Sequence, residues 1–263
     1  MIPVHSRSDI DRVRAACLIV YQAQQALREA IGPGVTTLEL DALAEGTIRA
    51  AGAIPAFKGF GGFPATICAS VNAEAIHGFP RREPLRPGDV LSVDVGVELD
   101  GFFGDAAFTV AVGEVPAAVE GLLVTTAAAL DDAIAAARPG GRLSDISHAV
   151  ESRALAGGLS VVREYGGHGI GRALHGEPHI PNHGRPGRGP VLRPGFVLAI
   201  EPILSLGQPE VEVADDGWTV LTVDRSPVAH FEHTIAITEA GPEILTLPAG
   251  MPLASAPPAR PCA

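Results

Sequence analysis

After Ser8, apolar positions recur at helical spacing through Leu27, and Gly32-Pro33-Gly34 closes the run. Ser8, with Asp11 three residues on, reads as the N-cap of this helix. Thr36 and Glu39 form a second capping-box pattern, opening a helix that stops near Gly52. An aromatic, Gly-rich loop (FKGFGGFP, 57–64) follows, and the pattern then changes to strands: ATICASV, DVLSVDVGVEL and FFGDAAFTVAV. The order then repeats. One Ala-rich helix spans about 116–137 and another about 144–156, followed by GLSVVREY, FVLAIEPIL, WTVLTV and AHFEHTIAIT. A helix pair and then strands, twice over, predicts an α+β fold in which two helix pairs cover a largely antiparallel sheet. The expected domain is single, residues 1–247, with halves of about 8–113 and 114–247. Residues 248–263 read as a disordered Pro/Ala-rich tail.

The two halves also repeat in their wording. PGDVLSVD at 87–94 returns as PGFVLAIE at 194–201, so Asp94 and Glu201 close matching strands 107 residues apart. HGFP at 77–80 returns as HGEP at 175–178. Two copies are too few for a solenoid, and a duplicated half folded about a pseudo-twofold axis fits better. Such an axis brings corresponding residues together, and here those residues are carboxylates. An acid inside a Val-rich strand is costly to bury unpaired, so two at equivalent positions point to a shared ligand, most simply a metal.

Spacing sharpens that inference. Asp100-Gly101 is a two-residue hairpin signal that pairs Leu99 with Phe102 and sets Gly96 opposite Asp105. Asp94 then lies diagonal to Asp105 on one face, within reach of a shared ion. Val93, Val95, Val97 and Phe108 take the other face, under the helices, while Gly96 and Ala107 leave space around the acids. A solvated acidic face is the plain alternative for an antiparallel hairpin. The second half weighs against it. Glu201 ends an apolar strand, Glu232 in FEHTIAIT echoes Asp105 in FGDAAFTV, and His168 lies between glycines that permit close backbone approach. Four carboxylates and one imidazole make a hard, oxygen-rich set suited to Mn, Fe(II) or Co, with Zn admitted. Two divalent cations bridged by carboxylates would resolve the charge of four clustered acids.

Bulk properties narrow the partners. A chain of 263 residues with 46% hydrophobic content can bury a substantial core, and a formal charge of −11 argues against DNA or an anionic membrane as main partner. The N-terminus carries charges throughout and lacks a signal-peptide core, and no stretch is apolar enough to span a bilayer. Three cysteines (Cys17, Cys68, Cys262) form neither a disulfide framework nor a zinc-finger spacing, which suits a reduced cytoplasm.

In combination, SVNxxxxHGxP at 70–80, Asp94-x10-Asp105, GHGIGRxxH at 167–175, IEP at 200–202, DGWTV at 216–220 and EHT at 232–234 resemble the type I methionine aminopeptidases of the pita-bread metallopeptidases. The resemblance runs from about residue 8 to 246. It implies five metal ligands at Asp94, Asp105, His168, Glu201 and Glu232, with Asp105 and Glu232 bridging two divalent ions (Co, Mn, Fe(II), Zn or Ni). It further implies that metal-activated water removes the initiator methionine from nascent chains with small second residues. Glu201 would be the general base, and His77 and His175 would contact the scissile amide.

The side-chain pocket maps onto Phe57, Phe60, Phe63, Cys68, Leu174, Trp218 and His77. Phe60 and Phe63 stand where relatives often carry tyrosine, and Leu174 where they often carry an aromatic. Cys68 reads as a small buried hydrophobe rather than a nucleophile. A monomer is implied, and the resemblance leaves room for a transient ribosome contact and a monovalent cation near Asn72. The rival readings are a prolidase or aminopeptidase P relative, which usually carries a further N-terminal domain, and a non-catalytic pita-bread binder, which would be expected to have lost ligands.

Overall fold

The computed structural model describes residues 2–251, so the tail expected from 248 lies, from 252 on, outside the described residues. Four helices are α1 (Arg7–Ala30), α2 (Thr37–Ala50), α3 (Ala117–Ala136) and α4 (Leu143–Ala156). Helix α1 starts two residues earlier than expected, because the chain holds two Ser-x-x-Asp phrases and the first one caps. Ser6 N–H donates to Asp9 Oδ2 at 3.2 Å while Asp9 N–H donates to Ser6 Oγ, also at 3.2 Å. Asp11, the partner expected for Ser8, faces Arg7 instead at 3.5 Å. At α2 the Thr36–Glu39 box forms as read. No described helix is long and apolar enough to cross a membrane.

Strand pairing between the named strands is antiparallel throughout, but it divides into four sheets rather than one continuous sheet. In the first, Val90–Leu99 pairs with Phe102–Ala111 through Asp100 and Gly101, whose φ values of 50° and 75° make the expected turn. Leu99 meets Phe102 and Gly96 meets Asp105, as the spacing predicted. Ile54–Pro55 and Ile67–Val71 pair with Val90–Leu99 in the same sheet. In the second half, five short strands include Gly166–Gly169, Val197–Ile200 and His233–Thr238. Here the expected runs shorten: GLSVVREY keeps only Ser160–Val161 and WTVLTV only Val220–Thr222. The Val220–Thr222 strand crosses to the first half and pairs with Glu74–Ile76, a segment with no strand signal of its own.

Packing follows from the alternation. Val93, Val95, Val97 and Phe108 are at most 1% exposed and join residues of α1, α2, α3 and α4 in one large apolar cluster. Gln24 of α1 is buried there too, and its Nε2 donates to the Ala106 carbonyl at 2.8 Å, satisfying both groups.

A seam joins the halves on the opposite face of the hairpin. Thr109 Oγ1 donates to the His230 carbonyl at 2.6 Å and accepts the His230 N–H at 2.9 Å. Four residues from each partner the relation inverts: Thr234 Oγ1 donates to the Asp105 carbonyl at 2.7 Å and accepts the Asp105 N–H at 3.3 Å. Between these clasps Glu232 N–H donates to the Ala107 carbonyl at 2.9 Å. Two hydroxyls thus stand in for ladder bonds where strands of the two halves cross.

Candidate metal centre and active site

That seam sets Asp105 and Glu232 side by side, each 2% exposed. Asp94, two residues from Gly96 on the same strand face, completes one group with them in which one donor atom from each lies within 4.8 Å of the others. His168, Glu201 and Glu232 form a second such group, and Asp105, His168 and His175 a third. His168 Nε2 approaches Glu201 Oε1 at 3.7 Å and Asp105 Oδ2 at 3.9 Å, while its Nδ1 lies 3.0 Å from the Gly169 carbonyl. The flanking glycines are required. A Cβ at Gly167 would stand 2.3 Å from the Ala199 carbonyl oxygen, and one at Gly169 2.0 Å from that of Glu177. All five residues expected to ligate metal therefore converge.

Both repeat histidines reach the same cleft. The His175 ring packs edge-on against His168, centroids 4.6 Å apart. His77 has φ 59°, a left-handed conformation that a tightly held loop must support, and its ring stands 6.2 Å from Trp218. Trp218 is presented by a turn in which Asp216 accepts the N–H groups of Trp218 and Thr219, each at 2.8 Å. Phe57, Phe63, Cys68 and Leu174 are buried in one apolar cluster, with Trp218 packed against it. Phe60 differs from the other slot residues: it is 47% exposed and leans edge-on against His175 at 5.1 Å, at the mouth rather than the wall. The space expected around the acids at Gly96 is filled, since a Cβ there would lie 2.4 Å from the Phe57 ring. The lack of a side chain at 96 thus brings the apolar slot against the acid cluster.

Three cleft residues were not foreseen. Tyr165 faces the His77 ring at 6.0 Å, and Asn182 Nδ2 donates to the Glu201 carbonyl at 2.8 Å. His230 Nε2 lies 3.5 Å from Glu201 Oε2. Its signal was present: in HFEH it sits two residues before Glu232, on the same face of an extended chain.

The electrostatics fit a cationic occupant. Burial raises the Asp105 and Glu232 carboxyls well above the usual range, and neighbouring carboxylates raise them further. Burial also raises Asp94. At Glu201 burial acts upward too, but His230, His168 and His175 outweigh it and hold the carboxyl below its ordinary value. His77 is held low by burial, and His175 by desolvation and by the facing His168. Burial and the adjacent carboxylates keep Cys68 a neutral thiol. Among the described residues, Asp94 Oδ1, Asp105 Oδ1 and Glu232 Oε1 are buried with no hydrogen-bond partner, and no lysine or arginine pairs with any of the four acids. Orphaned oxygens of this kind are costly unless a cation binds them, so the residues fit divalent metal.

A pH-dependent linkage follows from those raised carboxyls. The folded, metal-free chain holds protons that the unfolded chain has lost. The stability contributed by Asp94, Asp105 and Glu232 is therefore full below the unfolded carboxyl range and declines as pH rises through their raised folded values. Metal must displace the same protons, so its stabilisation grows across that window. Mn(II) added to chelator-treated protein is expected to raise Tm more at about pH 8 than at about pH 5.5. A pH-independent Tm shift would show that the acids are not the binding groups.

The chain belongs to metallopeptidase family M24, whose profile matches residues 11–239. Within the family it falls among the methionine aminopeptidases. It is 48% identical over 254 residues to methionine aminopeptidase 1 of Mycobacterium tuberculosis, covering 94% of this chain and 96% of that one. It is 47% identical to methionine aminopeptidase 1 of Bacillus subtilis, covering 94% and 99%. The solved methionine aminopeptidase of Thermotoga maritima superposes with TM-score 0.92 at 45% identity, over 94% of this chain and 99% of that one. The prolidase of Pyrococcus furiosus, at TM-score 0.75 and 23% identity, shares the fold.

Proposed function

We propose that the chain removes the N-terminal methionine of nascent and newly made polypeptides, favouring small second residues. Two divalent metal ions would be held by Asp94, Asp105, His168, Glu201 and Glu232. The observation that carries this reading is the overlap of the ligand groups. Glu232 belongs both to the Asp94–Asp105 group and to the His168–Glu201 group, while Asp105 also reaches His168. Asp105 and Glu232 would therefore be the carboxylates common to both ions. When bound, divalent ions supply Lewis acidity and make water nucleophilic at neutral pH.

The chain's own groups do the rest. The Glu201 carboxylate takes the proton of the attacking water and returns it to the leaving amine. His77 and His175, neutral at neutral pH, donate hydrogen bonds to the scissile amide and to the charge that develops on its oxygen. Phe57, Phe63, Cys68, Leu174 and Trp218 enclose the methionine side chain, and Phe60 covers it from the mouth. On this reading the partners are polypeptide N-termini met in the cytoplasm by a monomer. It leaves room for a transient ribosome contact and for a monovalent cation held by carbonyls near Asn72.

Comparing kcat/KM on peptides that differ only in the first residue, with Ala second, tests the assignment. Each methylene withheld from the slot loses about 0.8 kcal/mol, so norleucine is expected to replace methionine well and alanine poorly. Equal rates for Met-Ala-Ser and Ala-Ala-Ser, or a preference for Xaa-Pro peptides over Met-Ala, would defeat the methionine reading.

A further inference from the structure

His230 has a place in the cleft that the five ligands and the two repeat histidines leave unexplained. The Val228–His230 strand pairs with Ile203–Ser205, Ile203 opposite His230, so the histidine is held beside the chain that leaves Glu201. Thr109 clasps its backbone on both sides, at 2.9 Å and 2.6 Å. The residue is 2% exposed, and its buried Nε2 has no hydrogen-bond partner among the described residues. The ring nitrogen lies 3.5 Å from Glu201 Oε2, while the other oxygen of that carboxylate faces His168 at 3.7 Å. A buried N–H without a partner is expensive to keep, and closing this gap to an ordinary hydrogen bond takes about half an ångström. Asn182 already fixes the Glu201 carbonyl at 2.8 Å.

We propose that His230 is a positioning residue for Glu201: its Nε2–H holds Oε2 and so sets the rotation of the carboxylate, turning Oε1 toward the ligand cluster. The held oxygen keeps a second lone pair free for the water proton. Asn182 and His230 thus grip Glu201 at backbone and side chain. The inference rests on the reading of Glu201 as both ligand and base.

Outer hydrogen bonds to metal-ligating groups are typically worth about 10- to 100-fold in affinity or activity, which sets the scale of the test. In His230→Leu, kcat on Met-Ala-Ser is expected to fall by about that factor with KM little changed. Calorimetric titration with Mn(II) alone should show one metal site weakened by a similar factor and the other unaffected. His230→Gln keeps an N–H donor and is expected to restore most of both losses. His230→Asn, whose amide is too short to reach, should not, and it replaces the leucine variant should that one fail to fold. In a Glu201→Gln background, removing the imidazole should cost nothing further in metal affinity. Unchanged kcat and metal affinity in His230→Leu, or equal impairment of the Gln and Asn variants, would overturn the proposal and leave His230 a packing residue. A wild-type chain that fails to cleave Met-Ala-Ser with metal bound would defeat the functional reading instead, and the effect on Mn(II) affinity would stand apart from it.

Discussion

Asp105→Asn is expected to leave the fold standing while kcat falls by roughly a thousandfold or more. The scale follows from the several kcal/mol that metal contributes to transition-state charge, at about 1.36 kcal/mol per factor of ten. The substitution keeps shape, and the contacts that fix residue 105 are made by its backbone, whose N–H and C=O are both engaged by Thr234. What it removes is a carboxyl whose negative charge is opposed by burial and by the neighbouring Asp94, Glu201 and Glu232. With metal stripped, that charge is a liability, so the metal-free variant should melt no lower than metal-free wild type, and higher as pH rises. Turnover with saturating Mn(II) and Tm in chelator measure the two halves of the claim. Wild-type turnover in the variant would exclude a shared carboxylate at 105.

His175→Ala is expected to cost about a hundredfold in kcat, the usual consequence of deleting one donor aimed at developing charge. Its effect on metal should be small. The geometry admits a competing role, because Asp105, His168 and His175 can present donor atoms within 4.8 Å of one another. His175 stands at the exposed edge of the cleft beside Phe60, whereas His168 is seated among buried acids, and that difference is the ground for proposing substrate contact for His175 and ligation for His168. Metal titration decides the matter: a lost or weakened site in His175→Ala would make it a ligand.

Much of this centre was legible because its geometry is local. The hairpin register around Asp94 and Asp105 needed only a turn signal and the two-residue period of a strand, and it formed as read. The Thr36 cap was equally local. Where two local solutions competed, as at Ser6 and Ser8, sequence could not choose between them. The longer strands of the second half shortened, and Val220–Thr222 pairs with a segment of the first half for which no nearby residue gave a cue. The space expected at Gly96 is filled for the same reason. A missing side chain is visible in sequence, but the Phe57 ring that fills the space arrives from almost forty residues away. His230 stands two residues before Glu232 in sequence, but nothing local ties it or Asn182 to Glu201, and only the folded chain sets them beside it.

The threonine clasps also bear on how metal can leave. Asp94 and Asp105 come from one half, while His168, Glu201 and Glu232 come from the other, and Thr109, Thr234 and the Glu232 N–H tie the two together within a few residues of the ligands. The halves cannot swing apart as rigid bodies without breaking those bonds and scattering the donors. Departure of an ion by that route is therefore tied to parting of the seam, a slow local unfolding. Against that route a bound metal would be held in part by two threonine hydroxyls, neither of which belongs to the ligand groups.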